Sequence, residues 1–134
     1  MTDPIEHAKA AMQRAFELFD NEMATSATLS AYTSARRGQI DIQFWDRKSS
    51  QTVDARTVRL TSTLIYAFEQ PNLSAFLWRP ARHNIVHEAW HVVQAQGRSR
   101  WGWRVRYAWD WLFGGKSLER EADAMAIKYR DKIK

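Results

Sequence analysis

Residues 83–94 read HNIVHEAWHVVQ, and this stretch decides how the rest of the chain is interpreted. His87 and His91 are four residues apart, and Glu88 directly follows the first histidine. Four steps along an α-helix turn the chain by about 400°, so both imidazoles lie on one face, a turn apart, and can bind one metal ion. Glu88 is rotated by about 100° from His87, which places it beside such an ion, within reach of a water molecule. The stretch therefore predicts a metal-dependent catalytic centre on a helix.

A third ligand is available in residues 118–126, LEREADAMA. The chain has no cysteine, so thiolate ligands and disulfides are excluded and a metal has to be held by histidines and carboxylates. Glu119 can complete a site of two histidines and one glutamate for zinc, leaving the fourth position to water. Asp123 lies one helical turn further on and can accept the free N–H of a ligand histidine. Glu121 is the alternative third ligand.

The same residues also have ordinary explanations. His87 and His91 could be half-buried histidines whose ring nitrogens are satisfied by the backbone or by carboxylates, and the glutamates could be solvated partners of neighbouring basic residues. His83 lies one turn before His87. We expect it to be a surface histidine of the first turn, with an accessory role toward substrate as the alternative. His7 has no partner in the sequence pattern and is predicted to lie on the surface.

The spacing of apolar residues predicts one α+β domain over residues 1–134, mainly helical, with a small β-sheet packed on the motif helix. Asp3 and Pro4 suit a helix start, and apolar residues follow at helical spacing as far as Met23. Residues 39–44 alternate as a strand, 46–57 are polar and predict a loop, and 58–68 predict a second strand or two. The predicted helices span about 3–24, 81–96, 103–113 and 117–133, and the sheet about 39–68.

Local signals set the expected ends of these helices. The motif helix is predicted to begin just after Pro80 and to stop at Gly97. Residues 98–103, RSRWGW, are predicted to form a loop before the next helix, which Gly114 ends. Ser117 is the expected cap of the last helix, whose apolar stripe comprises Leu118, Ala122, Met125, Tyr129 and Ile133.

The segment from Trp101 to Trp111 interleaves tryptophans with arginines. The favoured interpretation is a helix packed between the two metal-binding helices, with tryptophans in the core and arginines outside. Contact with a membrane surface or a protein is the second interpretation, and nucleic-acid binding by stacking and phosphate contacts the third. The net charge of +5 fits a soluble basic surface, since no nucleic-acid motif accompanies it.

Nothing in the chain predicts insertion into a membrane. No run of about eighteen apolar residues is present, so no transmembrane segment is expected. The N-terminal residues do not resemble a secretory signal, and a cytoplasmic location is the default expectation. Export by dedicated secretion machinery is the alternative.

HEAWH followed by LEREADAMA resembles the gluzincin branch of zincin-like zinc metallopeptidases, in which H-E-x-x-H is completed by a downstream glutamate. More narrowly, HEAWHVVQ is similar to a helix of small bacterial metallopeptidase domains associated with contractile injection systems and toxins. The resemblance covers about residues 58–126. It implies that His87, His91 and Glu119 bind zinc, that Glu88 is the catalytic base and that Asp123 supports a ligand. This chain differs at Trp90, because the corresponding position of that helix usually carries threonine or a small residue.

If the chain is an enzyme, the expected reaction is hydrolysis of a peptide bond by metal-activated water, in a peptide or protein substrate. Glu88 takes the proton of the water and passes it to the leaving amine. A second group has to stabilise the oxyanion, and the candidates by residue type are Tyr107, Tyr129, His83 and Arg82. The strand at 58–68 could pair with an extended peptide. Because the chain is short for a peptidase of this class, a non-catalytic zinc-binding interaction module is the alternative function.

Overall fold

The fold is α+β, as predicted, with four helices and a small mixed sheet in the residues described. The computed structural model describes residues 3–19, 40–64, 68 and 75–133. The first helix ends at Leu18, earlier than the predicted end near residue 24. The sequence also predicts a loop over 24–38, where the apolar pattern fades, the first residue of a strand at 39, and a break at Pro71; these three positions lie outside the residues described. None of the helices described has the length and apolar character needed to cross a bilayer.

Helix α1 spans Pro4–Leu18 and begins as predicted. The side chain of Asp3 accepts a 2.9 Å hydrogen bond from the backbone N–H of Ile5, which satisfies one of the free donors of the first turn. One face of the helix is buried in the core: Ala8, Ala11, Met12, Ala15 and Phe16. His7 is half-buried rather than a surface residue, because its Nδ1 lies 2.8 Å from the carbonyl oxygen of Phe68.

The sheet contains β1 (Asp41–Trp45), β2 (Gln51–Thr52) and β3 (Thr57–Thr61) in the order β1-β3-β2. Strand β3 pairs in parallel with β1 and antiparallel with β2. The prediction that 46–57 is only a loop was therefore wrong, since two residues of it form the edge strand β2. So was the expectation that the strand at 58–68 pairs with a peptide, because β3 is flanked on both sides.

The strand predicted over 58–68 ends early, at Thr61, and a 3₁₀ turn follows at Ser62–Leu64. Leu60, Leu64 and Phe68 are all buried. They are four residues apart, a spacing that a helical turn also places on one side, so burial alone did not require an extended chain.

Helix α2 spans Ala75–Ala95 and carries the motif. It begins at Ala75 rather than just after Pro80, which lies inside it. A proline near a helix start removes only one intrahelical hydrogen bond, and burial of this central helix offsets the loss. The predicted stop is confirmed: Gly97 follows the helix with a φ of 80°.

Helix α3 spans Arg100–Phe113, so the prediction of a loop at 98–103 was wrong. The side chain of Ser99 accepts a 3.0 Å hydrogen bond from the N–H of Gly102 and thereby begins the helix earlier. The favoured placement of its tryptophans was also wrong. Only Trp103 is buried on α3, because the motif helix packs directly against the last helix and leaves no space between them.

Helix α4 spans Ser117–Tyr129 and continues as a 3₁₀ turn, Arg130–Lys132. The predicted apolar stripe is confirmed, since all five of its members are buried. Ser117 is not the cap. The carboxylate of Asp110 in α3 accepts hydrogen bonds from the N–H of Leu118, at 2.9 Å, and from the Ser117 hydroxyl. The Ser117 hydrogen bond lowers the pKa of Asp110, so this carboxylate stays charged where the two helices meet.

Candidate metal centre

Three predicted ligands meet at one point between α2 and α4. The Nε2 atoms of His87 and His91 lie 3.1 Å apart. Glu119 faces both, with Oε1 at 2.8 Å from His91 Nε2 and Oε2 at 3.2 Å from His87 Nε2. These atoms belong to one of two groups of side chains in the described residues that could hold a metal ion.

The spacing of the two imidazole nitrogens and the Glu119 carboxylate oxygens is close to that of zinc ligands. Tetrahedral ligands at roughly 2.0–2.1 Å from an ion are separated from each other by about 3.3 Å. The three observed separations fall slightly below this value. Small outward movements of the His91 and Glu119 side chains would therefore accommodate the ion without rearranging either helix.

His91 is held in the orientation that zinc binding requires. The side-chain NH₂ of Gln94 donates to the carbonyl oxygen of Leu118 at 3.2 Å, so the amide oxygen of Gln94 is turned toward His91. That oxygen lies 2.7 Å from His91 Nδ1, which therefore carries the proton and donates it. In the neutral ring, Nε2 presents its lone pair to the centre.

His87 is oriented in the same way by a carboxylate. Its Nδ1 lies 2.8 Å from Oδ1 of Asp123, which can only accept, so Nδ1 carries a proton. Asp123 thus contacts the histidine on the side away from Glu119. This is the geometry expected of a residue that supports a ligand.

His83 lies behind this pair and is half-buried, not a surface residue. Its Nδ1 is 3.1 Å from the Arg130 guanidinium, which can only donate, so the ring proton is on Nε2, 3.7 Å from Asp123. Burial and the positive charges of Arg130 and His87 lower the pKa of His83. His83, His87 and Asp123 form the second possible metal group, but the charge of Arg130 opposes a cation there.

Glu119, and not Glu121, faces the histidines. Glu121 Oε1 accepts a 2.5 Å hydrogen bond from the indole N–H of Trp90, and the amide of Gln94 lies 3.4 Å away. Glu119 and Glu121 are two residues apart, which is about 200° around a helix, so their side chains point to different sides. Only one of the two can therefore reach the imidazoles. Trp90 is buried against Phe19, with ring centroids 5.1 Å apart, and supports the helix from behind.

Glu88 lies next to the three candidate ligands and is held by the sheet. Its side chain is almost fully buried, and its Oε2 accepts a 2.6 Å hydrogen bond from the hydroxyl of Thr52 in β2. The indole N–H of Trp103 donates to the backbone oxygen of Thr52 at 3.0 Å. The edge strand thus connects Glu88 to α3.

A pocket of about 470 Å³ opens onto this arrangement. Glu88, His91 and Glu119 contribute to its floor, Thr52 and neighbouring residues of β2 to one wall, and Tyr107 and Trp103 of α3 to the other. Of the four candidates for oxyanion stabilisation, Tyr107 is the one that lines the pocket. Its hydroxyl donates a 2.5 Å hydrogen bond to Glu119 Oε1.

The charges of the site are strongly coupled. Burial lowers the pKa of His87, but the hydrogen bond to Glu119 and the charges of Glu88, Glu119 and Asp123 outweigh it and raise this pKa to about 9. Burial raises the pKa of Glu119, whereas its contacts with His87, His91 and Tyr107 outweigh burial and hold this pKa well below its usual range. Burial, followed by the bond to Glu119, raises the pKa of Tyr107. The hydroxyl of Tyr107 therefore remains protonated at neutral pH.

Sequence reasoning missed three residues of the site. Gln94 follows His91 at helical i+3 spacing, which could have identified it as a partner of the ring. Thr52 and Trp103 gave no such signal, because their contacts join residues far apart in the chain. Both contacts involve strand β2, and the polar sequence at 46–57 gave no indication of a strand there.

The chain matches no family model, no curated protein and no solved structure. Its function therefore has to be inferred from the chemistry of the site.

Proposed function

We propose that this chain is a zinc-dependent peptide hydrolase of the gluzincin type. His87, His91 and Glu119 would hold the ion, and Glu88 would act as general base. The observation that carries the proposal is the convergence of two imidazole nitrogens and a carboxylate within 2.8–3.2 Å of one another, in a pocket that Glu88 also lines.

The orientation of the two imidazoles supports a metal site. Gln94 and Asp123 occupy the Nδ1 atoms of His91 and His87, so the Nε2 atom of each ring is the one that faces the centre. In the metal-free chain the raised pKa of His87 lets its Nε2–H donate to Glu119. Zinc would take the place of that proton, and nitrogen and oxygen ligands at this spacing suit zinc.

The residues around the three ligands have the groups that hydrolysis needs. When bound, zinc supplies Lewis-acid polarisation of a carbonyl oxygen and lowers the pKa of water. The hydrogen bond from Thr52 fixes Oε2 of Glu88 and leaves Oε1 to accept a proton from water and return it to the leaving amine. Tyr107 is our choice for the oxyanion donor, because its raised pKa keeps its proton and a rotation would release it from Glu119.

The pocket walls favour an extended peptide as substrate. Strand β2 is an edge strand of the sheet described, and its residues Gln51 and Thr52 line the pocket, so a peptide backbone could pair with it. Arg47 and Arg104 also line the pocket and are exposed. Within the described part of the chain, neither forms an ion pair, which favours acidic side chains next to the scissile bond.

The test compares the wild-type chain with Glu88→Gln and Glu121→Gln, using a peptide library that includes acidic sequences. We expect the wild type and Glu121→Gln to cleave, and Glu88→Gln to lose turnover by about a thousandfold or more while keeping its zinc. Metal content and thermal unfolding confirm that each variant is loaded and folded.

Equal cleavage by Glu88→Gln would contradict its role as base. Zinc binding without cleavage of any peptide by the wild type would instead indicate the non-catalytic zinc-binding module.

A further inference from the structure

Helix α3 presents a row of large apolar side chains to solvent. This α3 outer face consists of Trp101, Val105, Trp109, Leu112 and Phe113. Trp101 is 75% exposed, Trp109 66%, and Leu112 and Phe113 70% each. Exposing so many aromatic and aliphatic side chains on one helix is unfavourable in water, which points to a surface that covers them.

The face is continuous, and positive charge borders it. At about 100° per residue, its five members fall within roughly a third of the helix circumference, opposite Trp103, which is buried. Arg104 and Arg106 fall on the two borders of the face, and both are exposed. At the C-terminal end, the ammonium group of Lys116 lies 4.1 Å from the centre of the Trp111 ring.

We propose that the α3 outer face docks on a lipid bilayer that carries anionic headgroups, with α3 lying in the plane of the interface. Tryptophan and phenylalanine are well suited to the boundary between headgroups and acyl chains. Arginines on both borders of the face would contact lipid phosphates while the apolar residues between them enter the bilayer. The net charge of +5 adds a long-range attraction to an anionic surface.

Other occupants fit this face less well. A second copy of the chain would bring the same arginines against each other, which costs free energy unless acidic residues intervene. Nucleic acid would need phosphate-binding cations interleaved with the aromatic rings, whereas Arg104 and Arg106 lie only at the borders of this face.

The experiment measures binding of the full chain to sedimented vesicles of phosphatidylcholine, with and without phosphatidylglycerol, at low and high salt. We expect binding to vesicles that contain phosphatidylglycerol, weakened by salt and much lower with phosphatidylcholine alone. Trp109→Glu and Leu112→Glu should each reduce the partition coefficient by about tenfold or more. Ile127→Glu is the matched control, because Ile127 is 61% exposed on α4, away from this face, and should change binding by less than about twofold.

Four results would overturn the proposal. They are no binding by the wild type, equal binding to both vesicle types, equal loss with Ile127→Glu, and a dimer that Trp109→Glu dissociates while vesicle binding is unchanged. A fifth would be a single-stranded oligonucleotide that competes fully with the vesicles and binds Trp109→Glu much more weakly than the wild type, which would assign the face to nucleic acid. The vesicle-binding measurement is also made with chelator present and with Glu88→Gln. Binding that is unchanged in both would show that it does not depend on the proposed zinc site or on catalysis.

Discussion

The hydroxyl of Thr52 donates a 2.6 Å hydrogen bond to Oε2 of Glu88, joining the edge strand to the helix that carries the motif. The helix alone sets the position of the Glu88 backbone, but a glutamate side chain has several rotatable bonds. Thr52 removes much of that freedom inside a buried pocket wall. The sheet therefore determines where the proposed base points.

Replacing Thr52 with valine tests this role, because valine keeps the shape and removes the donor. We expect kcat to fall by about tenfold to a hundredfold, with KM changed by less than about threefold, since the base is disordered but the ligands are intact. Thr52→Ser retains a hydroxyl and should recover most of the rate. Steady-state kinetics on the best library peptide make the comparison, and unchanged kcat in Thr52→Val would argue against this function for the hydrogen bond.

Gln94 is expected to tune zinc affinity through His91. Gln94→Leu removes the acceptor of the His91 Nδ1–H bond and should weaken zinc binding by about tenfold to a hundredfold. Gln96→Leu is the control, because Gln96 directly follows the end of the same helix and its amide donates to the backbone oxygen of Ala55 instead. Competition with a chromophoric chelator measures both affinities. Equal affinities in the two variants would mean that His91 is oriented without Gln94.

Zinc binding should release a proton from His87. The pKa of about 9 means that this ring is protonated at neutral pH in the metal-free protein, whereas a ligand histidine has to give up its Nε2 proton. Apparent zinc affinity should therefore rise about tenfold from about pH 7 to about pH 8 and level off above about 9. Asp123→Asn removes one cause of the raised pKa, so its curve should level off at lower pH. Calorimetry in buffers of different ionisation enthalpy counts the protons, and binding without proton release would contradict the raised pKa.

The same charges predict how the stability of the metal-free protein varies with pH. The pKa of His87 is raised from 6.5, so its contribution is fully present below about pH 6.5 and is lost as pH rises through about 9. The pKa of Glu119 is lowered from 4.5, so its contribution is present above about pH 4.5 and is lost as pH falls further. The melting temperature of the metal-free protein, measured with chelator present, should therefore be highest between about pH 4.5 and about pH 6.5. Glu119→Gln should flatten both sides of the curve of melting temperature against pH. Glu121→Gln, the control, should leave both sides unchanged. A flat wild-type curve would show that His87 and Glu119 contribute nothing to stability.

The sequence was informative where short-range periodicity determines structure. The spacing of His87 and His91, and of Glu119 and Asp123, places each pair on one helix face regardless of how the helices pack. The apolar stripe of α4 then fixes which face of that helix meets α2, which brings Glu119 to the histidines. Fold class and the candidate ligands followed from these patterns.

Tertiary contacts determined what the sequence did not predict. Gln51 and Thr52 form a strand only because β3 pairs with them, in a segment too polar for a strand signal. Asp110 replaces Ser117 as the cap of α4 because α3 brings its carboxylate to the helix start. The exposure of Trp101 and Trp109 depends on α2 and α4 packing directly together, and helical periodicity cannot decide whether an apolar face is covered.

The convergence of His87, His91 and Glu119 on one ion is tested most directly by zinc titration of the wild type, Glu119→Gln and the matched variant Glu121→Gln. We expect the wild type and Glu121→Gln to bind a single zinc ion per chain with similar affinity, and Glu119→Gln to bind it about a hundredfold more weakly or worse. A wild-type chain that takes up no zinc and shows no thermal shift on its addition, or a Glu119→Gln chain that binds zinc as tightly as the wild type, would contradict the proposed centre.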